Sequence, residues 1–505
     1  MASISTKASV LAIKPESTEG TPVAPTGATD YVALQPDFTM EPNLDVLENA
    51  ELRSSIGAAK PILGAENPTA SLSHYLRASG TAGTAPEIDD LLLAAFGSKV
   101  TNGTERATTS GSTTAILNAA SGVGGDFLRG TGMLIKDATN GYRIRVSHAR
   151  STDAITLSFE VPSAPASGVN LGKCVVYKPA DSGHQTLSVW HYLGNGGGVQ
   201  LMAGARVTEV SLEAGAGELV NLGFSLEGSG YYFNPIEITS STRYLDFTDD
   251  DGTFACAVTA GWYKDPHELA EALQTAMNTA NSGETHTVTY SNTTGRFTIK
   301  STGTVLTLKW NTGTNTANTI ATKVGFSAAA DSSGTAATTG YTSASAMSLA
   351  SPYTPTLDST DPLAAKYHEV MIGDAADYSC FGASNVSVTL TNERAVQGSI
   401  CAQSGISGSI ITGRRVTVNV TALLSQYDAD KFARYRAGTD TRFQYSFGPK
   451  VGGNWTAGKC GYVYIPTATI SSLNVSDQDG LAILEMELTA FVNSSAEGEV
   501  YMGFL

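Results

Sequence analysis

The most enzyme-like pair in this chain is Glu485 and Glu487, two carboxylates on one face of the alternating segment Ala482–Phe491. Strand rise sets them about 7 Å apart, a spacing that inverting glycosidases use for a general acid and a general base. The opposite face of the same segment, Ala482, Leu484, Met486, Leu488 and Ala490, is an apolar stripe. The acids therefore mark the wet side of an amphipathic strand, and this reading is the stronger of the two. Aromatic side chains at Phe443, Tyr445, Phe447, Tyr462 and Tyr464 could stack on sugars or bases, yet aromatics at a period of two normally fill cores.

Other chemistries lack their anchors. Gly168–Lys173 has three residues where a phosphate-binding loop needs four, and Cys174 follows it. Gly122-Val-Gly124 and Gly194-Asn-Gly196 run on to Phe127 and Val199 where the dinucleotide fingerprint requires a third glycine. Asp249–Gly252 and Asp477–Gly480 look like calcium loops, but their first ligand positions fall on Phe247 and Val475. Both read as hairpin turns. The 7 His form no HxxxH or HxH pair, and the 5 Cys (Cys174, Cys256, Cys380, Cys401, Cys460) stand far apart and read as free thiols. No catalytic residue, metal or cofactor is expected, and the protein is not expected to be an enzyme.

Elements that could position these residues are mostly strands. Val207–Leu212 and Leu222–Leu226 flank a Gly215-Ala-Gly217 turn, and Ile470–Val475 meets Leu481–Phe491 through Asp479-Gly480. Asn385–Leu390, Val416–Val420, Phe443–Phe447 and Tyr462–Ile465 repeat the alternation. Helices are expected over Pro86–Gly97, after the capping-box-like Asp265-Pro-His-Glu268, and from Gln426 to Ala437. The fold class is mainly β (α+β): a two-sheet sandwich or half-barrel core with a flanking helix and inserted small α/β domains.

At 505 residues the chain exceeds the roughly 250–300 at which one core stops growing. Residues 1–99, 179–230 and 350–505 read as the core, 100–178 as a small β-rich insertion, and 231–349 as an inserted outer domain. The Thr/Ser/Ala/Gly-rich stretch from Asn311 to Ser345 reads as a linker that cannot bury much. A formal charge of −16 without a basic cluster argues against tight nucleic-acid binding, and no apolar run is long enough to insert in a membrane. The first residues lack a secretory signal, so folding is expected in a reducing cytoplasm.

The order of these segments resembles the tail tube (major tail) proteins of long-tailed bacteriophages. Carrying that resemblance are Lys14–Pro22, Tyr31–Leu34, Glu48–Arg53, Ala70–Tyr75 and Thr84–Phe96, then Gly413–Val420, Phe443–Gly448, Tyr464–Ile470 and Glu485–Phe491. It implies a structural virion protein whose copies, six to a ring, join strands into an inter-subunit β-barrel, with rings stacking into a tube that delivers DNA. It also implies partners: other copies of the chain, a tape measure protein inside, tail terminator and distal tail proteins at the ends, and DNA in non-specific transit. Localisation would be the virion tail, after assembly in the host cytoplasm. Leu52, Arg53 and Ile56 would sit in a loop reaching the neighbouring ring, and Glu485 and Glu487 would face the lumen or solvent. A different class, a β-rich host-surface or carbohydrate-binding phage protein, would share the Ser/Thr/Gly-rich strands and acidity.

Overall fold

Alternating apolar and polar residues put close to half of the chain into strands, paired antiparallel. The computed structural model describes residues 6–51, 57, 59–194, 197–349, 351–425, 428–492 and 498–505, and it joins 17 strands into one hydrogen-bonded sheet. The protein is mainly β, with three α-helices among the described residues: α1 (Asp89–Phe96), α2 (Pro266–Ala280) and α3 (Ala429–Ala437). Two strands of 18 residues, Gly198–Gly215 and Gly461–Gln478, change partners along their length. The first leaves Leu187–Leu193 for Ala383–Gly398, and the second leaves Thr441–Phe447 for Leu481–Ala490. Their inward residues, among them Met202, Val210, Ile465 and Ile470, share the largest core with Leu91, Leu92 and Phe96 of α1. Gly97 ends α1 at φ +85°, a left-handed stop that glycine adopts without strain.

The same arrangement occurs twice. Val10–Pro15, Thr39–Glu41, Thr69–Tyr75, α1, Leu187–Leu193, Gly198–Gly215, Asn221–Glu227 and Gly230–Phe233 form the first set. Glu369–Gly373, Ala383–Gly398, Ile406–Leu423, α3, Thr441–Phe447, Gly461–Gln478, Leu481–Ala490 and Tyr501–Phe504 follow in the same order. Registers agree residue by residue: Leu212 faces Leu222 as Val475 faces Leu484, and Leu72 faces Phe224 as Val420 faces Met486. The bulge between Val207 and Glu209 recurs between Ile470 and Ser472, and that between Leu187 and Val189 recurs between Thr441 and Phe443. Even the hydroxyl at the first bulge is repeated. Thr208 Oγ1 donates to the Ser225 carbonyl at 3.2 Å, and Ser471 Oγ donates to the Glu487 carbonyl at 3.1 Å.

Two segments lie outside this duplicated plan, and both depart from the sequence expectation. In the stretch expected as an insertion over 100–178, the flanking strands Gly97–Asn102 and Cys174–Pro179 pair with each other and extend the main sheet from Tyr501–Phe504. A separate six-stranded sheet occupies only the interior, from Arg106 to Leu171, around Leu117, Phe127, Met133 and Ile155. Between the two repeats, residues 236–347 contribute every member of another core, including Phe247, Leu273, Phe297 and Trp310. The expected linker 311–345 is part of that core: Ile320, Ala321, Val324, Phe326, Ala337 and Tyr341 are buried in it. Its few apolar residues land on the core because acids tie down the turns between them. Asp246 accepts from the Asn315 amide at 2.7 Å, and Asp331 accepts from the Asn311 and Thr312 amides at 2.7 and 3.1 Å.

Candidate functional site

Eight strands lie side by side in the order Thr39–Glu41, Thr69–Tyr75, Asn221–Glu227, Gly198–Gly215, Ala383–Gly398, Ile406–Leu423, Leu481–Ala490, Gly461–Gln478. One face buries Leu72, Phe224, Val210, Val388, Val418 and Met486. By the period of two, the other face receives the residues between them, and these are polar almost throughout. One row across the sheet reads Ser73, Gly223, Ser211, Thr389, Thr417, Thr489, Thr469. Its neighbour reads Tyr75, Asn221, Glu213, Ser387, Asn419, Glu487, Ser472.

Acids dominate the charge on this face. Glu41, Glu209, Glu213, Glu485 and Glu487 project from it against Arg415, while Glu227 is held 3.3 Å from the Arg394 guanidinium. Glu485 is exposed and accepts from Ser476 Oγ at 2.9 Å and Asn474 Nδ2 at 3.4 Å. Glu487 is half-buried, with Arg415 at 3.9 Å. Both side chains lie opposite the core stripe of Leu484, Met486 and Leu488. An open sheet of hydroxyls, amides and carboxylates holds water and repels anions. Glu209, Glu213 and the hydroxyl rows escaped sequence reasoning, although the alternation Val207–Leu212 carried the signal.

Both ends of this eight-stranded sheet are open among the described residues. Thr39–Glu41 pairs only with Thr69–Tyr75, and the segment 471–478 pairs only with Leu481–Ala490. Leu52, Arg53 and Ile56 lie outside the described residues. The chain leads to and from them through the two-stranded hairpin Leu44–Leu47 and Ile62–Glu66, on which Val46 and Leu63 are each 62% exposed.

The remaining reactive groups are quiet. Tyr445, Phe447, Tyr462 and Tyr464 are buried, so the aromatic pattern is core. Burial pushes the thiols of Cys174, Cys256 and Cys460 up to about 12, which keeps them protonated, and all five cysteines are free. Burial likewise holds His148 down at about 3 and His368 at about 4; each ring meets a tyrosine hydroxyl, Tyr464 at 2.7 Å and Tyr445 at 2.6 Å. Ligand-type atoms gather in the 236–347 segment, where Asp249, Glu284 and His286 lie within 4.8 Å of one another. Asp249 reaches this group from the hairpin turn that failed as a linear calcium loop.

Residues 6–242 match the family described as phage tail tube protein. The chain is similar to phage tail tube proteins. The tail tube match spans the first repeat, Val10 to Phe233, and the second repeat carries the same strand order and bulges beyond it. A structural role in the tail tube of a virion follows from this match. Among solved structures, the SPP1 tail tube determined by solid-state NMR and cryo-EM is 15% identical, covering 26% of this chain and 75% of that one, with a TM-score of 0.20. A chain from the virion of a native gene transfer agent particle is 17% identical, covering 25% and 92%, with a TM-score of 0.19. No curated protein matches the chain.

Proposed function

We propose that this protein is the building block of a phage tail tube: copies join their sheets edge to edge into rings, and the rings stack into a conduit for DNA. The observation that carries this reading is the eight-stranded sheet with one face in the core, the other polar and acidic, and both edges open among the described residues. Open edges are an aggregation liability unless something pairs with them, and closure into a barrel removes both at once. Directed inward, the acidic face lines the lumen and repels the phosphates of passing DNA, which keeps the genome mobile. The role asked of Glu485 and Glu487 is electrostatic.

Stacking needs a contact along the tube axis. The exposed hairpin that leads to Leu52, Arg53 and Ile56 supplies it, because a two-stranded ribbon with Val46, Leu47, Ile62 and Leu63 exposed is stable only against another surface. The tape measure protein would occupy the lumen during assembly, and terminator and distal tail proteins would cap the ends, in a virion assembled in the host cytoplasm. The 236–347 segment, with its own core between the repeats, would decorate the outside.

Negative-stain microscopy of concentrated protein tests the reading. Wild-type protein is expected to form tubes. The triple variant Leu52→Ser, Arg53→Ser, Ile56→Ser is expected to stay soluble and folded by circular dichroism while tubes disappear. Wild-type material that remains as isolated single chains at high concentration, in the presence of a purified tail tip, overturns it.

A further inference from the structure

The duplication says what pairs with the open edges. Inside the chain, Gly198–Gly215, at the border of the first repeat in the eight-stranded sheet, pairs with Ala383–Gly398, at the facing border of the second. Their register sets Glu209 opposite Thr391, Ser211 opposite Thr389, Leu212 opposite Val388 and Glu213 opposite Ser387. This junction joins two tube units, and a single polypeptide already contains it. The edge left open at one end, 471–478, belongs to the strand equivalent to Gly198–Gly215. The edge left open at the other, Thr39–Glu41, is equivalent to part of Ala383–Gly398. Each chain therefore carries both halves of a second copy of its own internal junction, on opposite sides of the molecule.

We infer that the partner of each edge is a second copy of this chain, joined in the register of the internal junction, and that three chains of two tube units each close one ring. This rests on the tail tube reading above, whose family resemblance supplies six units per ring. Equivalence of positions fixes the contact. Ser211 corresponds to Asn474, and Thr389, which faces Thr417 as Glu41 faces Thr69, corresponds to Glu41. Asn474 of one copy thus lies opposite Glu41 of the next, Val475 opposite Met40, and Ser476 opposite Thr39. The chemistry agrees with the placement. Val475, 44% exposed on the core side of its strand, gains Met40 as an apolar neighbour, as Leu212 has Val388. On the polar side an amide meets a carboxylate and two hydroxyls meet each other, pairs that hydrogen-bond across a sheet. A heterologous contact of this kind, repeated by rotation, closes into a ring when the angle allows, and the internal junction supplies that angle.

Cysteine cross-linking of assembled full-length protein tests this. Exposed Cys380 and Cys401 are replaced by Ser, and Glu41→Cys with Asn474→Cys is oxidised in tubes; opposed positions fall close to disulfide range. A denaturing gel should show one, two and three linked chains, ending at a closed trimer. The off-register control Glu41→Cys with Asp477→Cys should give less than a tenth of that yield. In parallel, wild-type tubes imaged by cryo-EM should show three-fold rings of six similar lobes. Wild-type tubes with one lobe per chain and six chains per ring overturn the inference and leave the tail tube reading standing, as does a ladder reaching six. Tubes that form without in-register cross-links do the same. Absence of wild-type tubes overturns both.

Discussion

Tyr462 shows how a single polar atom fastens an insertion to the duplicated core. Its hydroxyl is fully buried, donates to the Gly130 carbonyl at 2.6 Å and accepts from the Gly132 amide at 2.7 Å. Both glycines are required by space: a Cβ at Gly132 would come within 2.0 Å of the Tyr462 ring, and one at Gly130 within 1.9 Å of Tyr501. Tyr462→Phe leaves a buried donor and acceptor without partners, so stability should fall by about 1–3 kcal/mol in urea unfolding of the full chain. Asp90, in the first turn of α1, behaves oppositely. Burial, and then the neighbouring Asp89 carboxylate, raise its pKa to about 6, above the roughly 3.9 of an unfolded aspartate. The folded state then holds a proton that the unfolded state has released, so the stability linked to Asp90 is full below about pH 4 and is lost as pH rises through 6. Asp90→Asn should raise the Tm at pH 7.5 and leave it nearly unchanged at pH 4. An equal shift at both pH values would assign the effect to packing.

At the level of elements, the sequence was most readable where backbone chemistry is local. The Asp479-Gly480 hairpin adopts the expected positive φ at both residues, 55° and 82°. The cap of α2 also forms as its residue types require: Asp265 accepts from the His267 and Glu268 amides at 2.7 and 3.0 Å. Asp265→Ala should cost about 1 kcal/mol, read as a lower thermal midpoint of the full chain, because those two amides lose their acceptor. The duplication was not legible, for a physical reason. Val207–Gly215 reads VTEVSLEAG and its counterpart Ile470–Gln478 reads ISSLNVSDQ; they share an alternation and a bulge, and neither demands particular residues. The insertion after α1, which has no counterpart after α3, also changes the distance between equivalent strands, so that Leu72 and Val420 lie farther apart along the chain than Val207 and Ile470 do. The linker expectation failed differently: average hydrophobicity over 311–345 is low, but burial is decided by where Ile320, Val324, Phe326 and Tyr341 fall. The polar face was half legible, since one strand reveals which side is wet and eight are needed to show an acidic wall.

For the whole molecule, the distribution of acids on that wall is the property on which the proposed conduit role depends most directly. The repeats are equivalent in backbone but not in charge: Glu209 and Glu213 stand where the second repeat has Ser472 and Ser476, and Glu485 and Glu487 stand where the first has Gly223 and Ser225. Each unit thus carries its pair of acids on a different strand, and joining units in the internal register spaces negative charge around the face instead of stacking it on one seam. Screening in 0.1 M salt acts over about 10 Å, so a wall of this kind is felt by DNA close to it. Replacing Glu209, Glu213, Glu485 and Glu487 by Lys changes the wall from repelling phosphate to attracting it, while their positions on the solvent side of strands leave the core untouched. Tubes of this variant should still assemble, and they should retain short duplex DNA on sedimentation at 50 mM salt. They should release it by 300 mM, because bound phosphates are exchanged for salt ions as ionic strength rises. Wild-type tubes should retain none at either concentration. Retention that is equal in variant and wild type places these four acids away from the path of the DNA, whereas variant tubes clogged at low salt place them along it.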